Sequence, residues 1–317
     1  MHGGMLNLLP AKGQSMKTLR VLVALMTNDN DYQIEQANSA TQAAGKLGIE
    51  AKIVYADNDA INQSTQILKA IQAVPEERPD AVIFEPAGGT ALPQVARAAA
   101  MAGVGWVVMN REASYVPELR QTCKSPVFAL SSDHLETGRI QGRQFAALLP
   151  SGGSVLHIQG PSENSVAKER LLGMMEVKPS NIHLITLKGQ WTEESAQRAV
   201  RSWLKLSTSQ KSHIDLVGSQ NDAMAIGVRK IFQEIPDEAE RERWLSLPFT
   251  GCDGLPKTGQ SWVRSGILAA TIYLPPLAGQ AIELLSDAYQ HGKIPPERVL
   301  VAPTSVPALE SLRALRA

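Results

Sequence analysis

The stretch GSQNDAMAIG, Gly218 to Gly227, sets an amide and a carboxylate side by side at a junction. Before Asn221 and Asp222 runs the apolar segment from Ile214 to Val217; after them comes a run of small and apolar residues at helical spacing. A short apolar run that ends in polar residues and then enters a helix is the strand-to-helix turn of an α/β sheet. Ligands of such sheets bind outside the carboxyl ends of the strands. The pair then divides into two tasks: Asn221 faces a ligand, and Asp222 caps the helix that follows, with Asn221 as the alternative cap.

The same junction recurs along the chain. RVLVALM, EAKIVYA, DAVIFEP and GVGWVVMN each precede or follow a helical pattern, with helices expected over 32–47, 60–74 and 92–102. Short, continuous apolar strands alternating with helices indicate a parallel sheet covered on both faces. After SPVFALSSD the pattern restarts with helices expected over 137–149, 167–176, 193–206, 224–234 and 257–265, separated by SVLHIQG, IHLITLKG, IDLVGSQ, PFTGCDG and LAATIYL. PPLAGQAIELLSDAYQHG reads as a helix begun by proline and closed by Gly292, and ERVLVAPTSV as one last strand. The expected fold is therefore α/β, with two doubly wound parallel-sheet units and no Gly/Ser- or Pro-rich linker between them.

Composition narrows the function. The 317 residues carry 31 Lys+Arg against 31 Asp+Glu, so no excess charge directs the chain to nucleic acid or anionic lipid. No run approaches the roughly 18 apolar residues that span a bilayer, so no membrane insertion is expected. MKTLRVLVALM from Met16 has the outline of an export signal, but its apolar run stops at Met26 before polar TNDND, and it reads as the first strand. Residues 1–16 read as a disordered leader, and no export signal is visible. Cys123 and Cys252 do not make a disulfide framework. The six histidines show no metal-ligand spacing, so neither a metal nor a cofactor is expected. GxGxxG and GxxxxGK[ST] are both missing, which leaves nucleotide phosphates without a cradle. GPSENS is not the GxSxG elbow of a hydrolase.

The strand ends supply a coherent polar set: Asn30, Asp31 and Tyr32; Asn110 and Arg111; Ser165 and Arg170; Trp191; Asn221 and Asp222; and Asp253. Asn, Asp and Arg place donors or acceptors to match adjacent hydroxyls, and an aromatic face covers the C–H face of a sugar ring. Asp133 reads as a hinge or capping residue, and His134 as a surface or interdomain residue. The run PDEAERERW reads as a solvated helix face.

Seven ordered motifs carry a family resemblance: YADNDAINQSTQI, PDAVIFEPAG, GVGWVVMNRE, FALSSDHLETGRIQGRQFA, IQGPSENSVAKERLLGM, SQNDAMAIGVRK and GCDGLPKTGQSWVRSGILAATI. Over residues 17 to 310 the chain resembles the type I periplasmic sugar-binding proteins of ABC transporters, which are related to LacI-type effector domains. The resemblance implies two lobes, 17–131 with 275–300 and 132–274 with 301–317, joined by a hinge of three strands near Ser131–Asp133, Leu274–Pro276 and Leu300–Pro303. It implies a monomer that closes on a monosaccharide or polyol and presents the closed form to an ABC permease or to a sensor protein. A cytosolic effector role would need a DNA-binding module, which the residues before strand one are too few to supply. An enzyme on this fold is the reading of a different class, and it lacks a nucleophile–base pair at a strand end. The family location is the periplasm, in tension with the missing export signal.

The resemblance also implies ligand contacts from Asn30, Tyr32, Asn110, Arg111, Arg170, Trp191, Asn221 and Asp253. Three positions depart from the family pattern. Asn110 stands for the Asp of an Asp-Arg pair and removes a charge-assisted acceptor. Asp31 and Gln33 leave one aromatic in the first loop. Leu274 replaces a Gln that reaches the ligand.

Overall fold

The computed structural model describes residues 18–314 except 89–90, 112 and 208–211. The expected leader lies outside the described residues. In chain order the first elements are β1 (Arg20–Leu25), α1 (Asp31–Leu47), β2 (Glu50–Tyr55), α2 (Ala60–Ile71), β3 (Ala81–Phe84), α3 (Pro93–Met101), β4 (Gly105–Met109), α4 (Val116–Thr122) and β5 (Val127–Ser132). There follow α5 (His134–Leu148), β6 (Gly153–Gln159), α6 (Ser165–Val177), β7 (Ile182–Lys188), α7 (Glu193–Leu204), β8 (Leu216–Ser219), α8 (Asp222–Gln233) and α9 (Glu238–Leu245). The chain ends through β9 (Phe249–Thr250), α10 (Gly259–Arg264), β10 (Thr271–Tyr273), α11 (Leu277–His291), β11 (Arg298–Val301), β12 (Thr304–Val306) and α12 (Leu309–Ala314).

Ten of these strands build two parallel sheets. The first runs β11-β5-β4-β3-β1-β2 and the second β7-β6-β8-β9. The central strands β3, β4 and β5 are buried at every position, because helices cover both faces. The edge strands β2, β7 and β11 instead mix buried or half-buried with exposed positions, since one side of each meets water. Continuous apolar runs in the sequence thus mark sheet centres, and mixed runs mark edges.

The helices face the sheets with small residues. α1 buries Ala37, Ala40, Ala43 and Ala44 on one stripe. Their size lets α11 approach closely, and together they seal one face of the first sheet with Leu277, Ala281, Ile282 and Leu285. Gln36, fully buried on α1, accepts hydrogen bonds from Leu277 N and Ala278 N at 2.8 Å each. It caps α11, whose flanking Pro276 offers no side-chain acceptor. On the other face Trp106 packs at a tilt against Phe84, with centroids 4.6 Å apart. In the second sheet Trp244 lies over Phe232 at 4.6 Å, so the charged run around it hides one buried aromatic.

The chain passes between the sheets in three places. β5 belongs to the first sheet, and α5, two residues later, packs onto the second through Phe145, Ala147 and Leu148. β10 lies beside β9 through the bridges Thr250–Ala270 and Asp253–Tyr273, and α11 then returns to the first core. Finally β11 leaves the first sheet and β12 pairs antiparallel with β10. The single strand expected over ERVLVAPTSV is therefore two strands in two sheets. Pro303, which has no N–H to give a ladder, stands at the break.

Helix bodies agree with the sequence reading, and their ends differ by a few residues. The largest differences are α5, which begins at His134 rather than Thr137, and α2, which ends at Ile71 rather than Val74. Asp133 caps α5 by accepting from Glu136 N at 2.9 Å. α4 and α12, of 7 and 6 residues, have no counterpart in the sequence reading. Cys123 and Cys252 are both free, the first half-buried and the second buried. No described helix is long and apolar enough to cross a membrane.

Candidate ligand-binding cleft

Strand ends of both sheets open onto one cavity of about 620 Å³. All eight expected site residues line it. Asn30 and Tyr32 come from the β1–α1 turn, Asn110 and Arg111 from the end of β4, and Arg170 from α6. Trp191 follows β7, Asn221 follows β8, and Asp253 follows β9. Ser165, at the start of α6, does not line it, whereas Asp31 and Asp222 do.

Two asparagines do equivalent work in the two halves. Asn30 Oδ1 accepts from Gln33 N at 3.0 Å, and Asn221 Oδ1 accepts from Met224 N at 2.9 Å. Each is the N-cap of the helix after its strand, so its carbonyl oxygen is committed to the fold. The expectation that Asp222 caps α8 is therefore corrected. Asn221 takes the cap because its extended backbone brings Oδ1 over the first turn. Asp222 instead lies inside, accepting from Gly254 N at 2.8 Å and from Thr271 Oγ1 at 2.7 Å. Those bonds tie the β8–α8 turn to the loop that carries Asp253 and to β10.

Backbone strain collects at this site. Among the described non-glycine residues six have positive φ, and three of them are Asn110 (53°), Trp191 (65°) and Asp253 (104°). Asn and Asp tolerate the left-handed region, but for a bulky residue such as Trp it is an outlier costing about 1–3 kcal/mol. The surroundings hold Trp191 there: Asn221 Nδ2 donates to its carbonyl at 2.8 Å, and the Arg170 guanidinium lies 5.5 Å from its ring centroid. Gly160 makes the space, since a Cβ there would come within 2.3 Å of the indole.

Two charged side chains of the cavity lining, Arg170 and Asp253, keep hydrogen-bonding capacity that the protein does not use. Arg170 is 5% exposed; one terminal nitrogen donates to the Gln220 carbonyl, and its Nε has no partner among the described residues. Asp253 fixes its backbone to β10 through N–H to Ile272 O and Leu274 N–H to its own carbonyl, both at 3.0 Å, leaving its carboxylate turned to the cavity wall. Burial pushes that carboxyl up from 3.8 to about 7; Arg170 opposes the rise, and Glu85 and Asp31 add to it. Asp222 is pushed well up by burial and then by Asp253.

Tyr32 is half-buried. It packs against Ile140, Cys252, Ile272 and Leu274, and burial followed by the charge of Glu85 raises its hydroxyl pKa. Leu274, the position expected to lack a ligand-reaching Gln, belongs to that apolar floor and does not line the cavity.

Glu85 and His134 are among the lining residues that the sequence reading did not place at the site. Glu85, 5% exposed at the end of β3, accepts from Gln33 Nε2 at 2.9 Å and from Asn110 Nδ2 at 3.2 Å. A carboxylate closing the apolar run DAVIF was the available signal. His134, 4% exposed at the first passage between sheets, has both ring nitrogens unpartnered among the described residues. Burial and the charges of Arg170 and Arg111 push its pKa well down, so the ring is neutral. Among the described residues no cluster of His, Cys, Asp and Glu could hold a metal ion.

Two doubly wound sheets, three connecting passages and a polar cleft at the strand ends define the class of type I solute-binding proteins. The chain belongs to the periplasmic binding protein domain family, whose profile matches residues 21–293. It is 22% identical to the ribose import binding protein of Salmonella typhimurium over 276 residues, 86% of each chain. It is 24% identical to the D-apiose import binding protein of Paraburkholderia graminis, covering 91% of this chain and 86% of that one. Among solved structures, a periplasmic solute-binding protein of an ABC transporter from Actinobacillus succinogenes with bound D-allose superposes with a TM-score of 0.78 at 19% identity, covering 94% of this chain and all of the other.

Proposed function

We propose that this protein captures one monosaccharide or related polyol in the cleft and delivers it for ABC-type uptake, binding its ligand without chemical change. The observation that carries the reading is that the eight side chains from both sheets line a single cavity of about 620 Å³, with the Asp253 carboxylate left for a guest. Tyr32 and Trp191 cover the ring faces; Asn30, Asn110, Arg111, Arg170, Asn221 and Asp253 take its hydroxyls. The names of the relatives, ribose and D-apiose import binding proteins, support a sugar and an import role.

In this reading residues 17–131 with 275–300 form one lobe and 132–274 with 301–317 the other. The three passages serve as the hinge. Neither half-site buries a sugar alone, so ligand binding energy favours the closed form, which a membrane permease can recognise. The protein works as a monomer in the periplasm.

A thermal-shift screen against pentoses, hexoses, inositols, amino acids and purines tests the reading. A sugar at a hundred times its Kd adds about 2.7 kcal/mol of stability. A response confined to amino acids or purines would overturn it.

A further inference from the structure

The first-sheet wall of the cleft contains a charge whose place in binding is not evident from the residues around it. Asn110 is neutral, and Arg111 beside it donates through Nη1 to the Asn110 carbonyl at 2.8 Å. Behind them stands Glu85, a carboxylate 5% exposed that lines the cavity. A carboxylate is not buried without compensation. Here the compensation is the Asn110 amide at 3.2 Å, the Gln33 amide at 2.9 Å and the nearby Arg111 guanidinium, whose proton affinity burial lowers on balance and Glu85 partly restores.

The hydrogen bonds are distributed in a telling way. Asn110 donates to Oε1 and Gln33 to Oε2, one bond for each oxygen. A carboxylate has about four lone-pair sites, so each oxygen keeps one free. No further protein donor fills them among the described residues. Holding Gln33 in place would need only one of the two oxygens, and an amide would serve there as well as a charge. A full negative charge kept at the cavity wall, with acceptor capacity to spare and a guanidinium beside it, is suited to a donor arriving from the cavity.

We propose that Glu85 is a ligand-binding and specificity-determining residue: its carboxylate is the charge-assisted acceptor for a hydroxyl of the bound polyol, and Asn110 positions it. This rests on the polyol reading of the cleft. The acceptor at this wall is thus supplied from β3, one strand over from the residue it touches. Charge-assisted hydrogen bonds are about twice as strong as neutral ones, so the wall discriminates strongly between a ligand with a hydroxyl there and its deoxy analogue.

Exchanging the charge between the two positions tests this. In the double variant Glu85→Gln/Asn110→Asp the new amide at position 85 would donate to the new carboxylate at position 110 while its oxygen accepts from Gln33. Both bonds are preserved, with the charge moved by one side chain. Asp suits the left-handed backbone of position 110. Affinities for D-ribose, D-allose, D-galactose and myo-inositol are measured by calorimetry, with the apo melting temperature recorded for each variant. Glu85→Gln alone is expected to bind the best of these probes at least tenfold more weakly, and the double variant to recover most of that loss. Asn110→Asp alone sets two carboxylates against each other and should bind worse than either.

Wild-type affinity in Glu85→Gln, or a double variant no tighter than Glu85→Gln, overturns the assignment. Should Glu85→Gln fail to fold, the double variant decides: folded and binding upholds it, while folded and non-binding, or unfolded, overturns it. Silence of the wild-type protein toward all four probes, with a response to an amino acid or purine, overturns the polyol reading and this assignment with it. Binding of a polyol without the Glu85 effect overturns this assignment alone.

Discussion

Asn221 Nδ2 donates to the backbone carbonyl of Trp191 at 2.8 Å while Asn221 Oδ1 accepts from Met224 N. One side chain therefore starts a helix and holds an aromatic wall of the cleft in place. The two functions separate by mutation. Asp caps a helix as well as Asn does, but it has no amide to give to Trp191. Asn221→Asp should keep the cap, set a carboxylate oxygen against the Trp191 carbonyl, and bind ligand about tenfold more weakly, the scale of one lost hydrogen bond. Asn221→Ala should lose about 1 kcal/mol of stability besides. Calorimetry beside thermal melting checks both, and unchanged affinity in Asn221→Asp would show that the Trp191 bond is idle.

The left-handed backbone of Trp191 yields an ordering of variants. Alanine at this φ costs about 1–2 kcal/mol that glycine does not. Trp191→Gly should therefore be the more stable of the two, by about 1 kcal/mol, although glycine is usually the poorer substitute. Both should lose ligand. A Trp191→Ala melt above that of Trp191→Gly would place the strain elsewhere.

Asp253 makes stability and binding depend on pH in opposite senses. Its carboxyl rises from 3.8 to about 7 in the folded chain, so the apo fold retains a proton that the unfolded chain has released between those values. The apo protein is then stabilised below about pH 4 and loses that contribution as pH rises through 7. A hydroxyl donor prefers the ionised carboxylate, so affinity falls as pH drops below 7, by at most about tenfold per unit. Calorimetry at pH 7 in buffers of different ionisation enthalpy should show proton release on binding. Asp253→Asn should flatten the binding profile, while the stability profile keeps the part that the buried Asp222 carboxyl contributes.

Asp222 is a test of the fold rather than of the ligand. Removing its carboxylate strands the buried Gly254 N–H and Thr271 hydroxyl. Each orphaned group costs about 1–3 kcal/mol, so Asp222→Ala should lower the melting temperature sharply. Asp222→Asn, which keeps the shape and an acceptor, should lower it less. Equal melts for the two would show that neither bond matters.

The sheets were legible because strands buried on both faces leave continuous apolar runs, as in VLVAL and WVVM. The site was legible to the extent that it lies at the ends of those runs. What escaped reading has physical reasons. Asn221 and Asp222 are both good caps, and only the backbone angle decides which side chain reaches the helix. Pro303 splits a strand that hydropathy reads as one. Glu85 follows four apolar residues, and nothing local says that its charge is met by Gln33 and Asn110 from 52 and 25 positions away. His134 gave no sign that it is buried, because its environment is made by the other passages between the sheets.

Cys252 lies under the floor of the cleft, next to Asp253 and sealed by Ile140, Ile272, Leu274 and Tyr32. Cys123, half-buried on the far helices of the first sheet, is its unpaired counterpart. A maleimide should reach Cys123 promptly and Cys252 only during excursions that lift the floor. The slow labelling step then counts how often the empty molecule opens, a clock wired into the chain before any fluorophore is added, and a saturating ligand should make it tick more slowly.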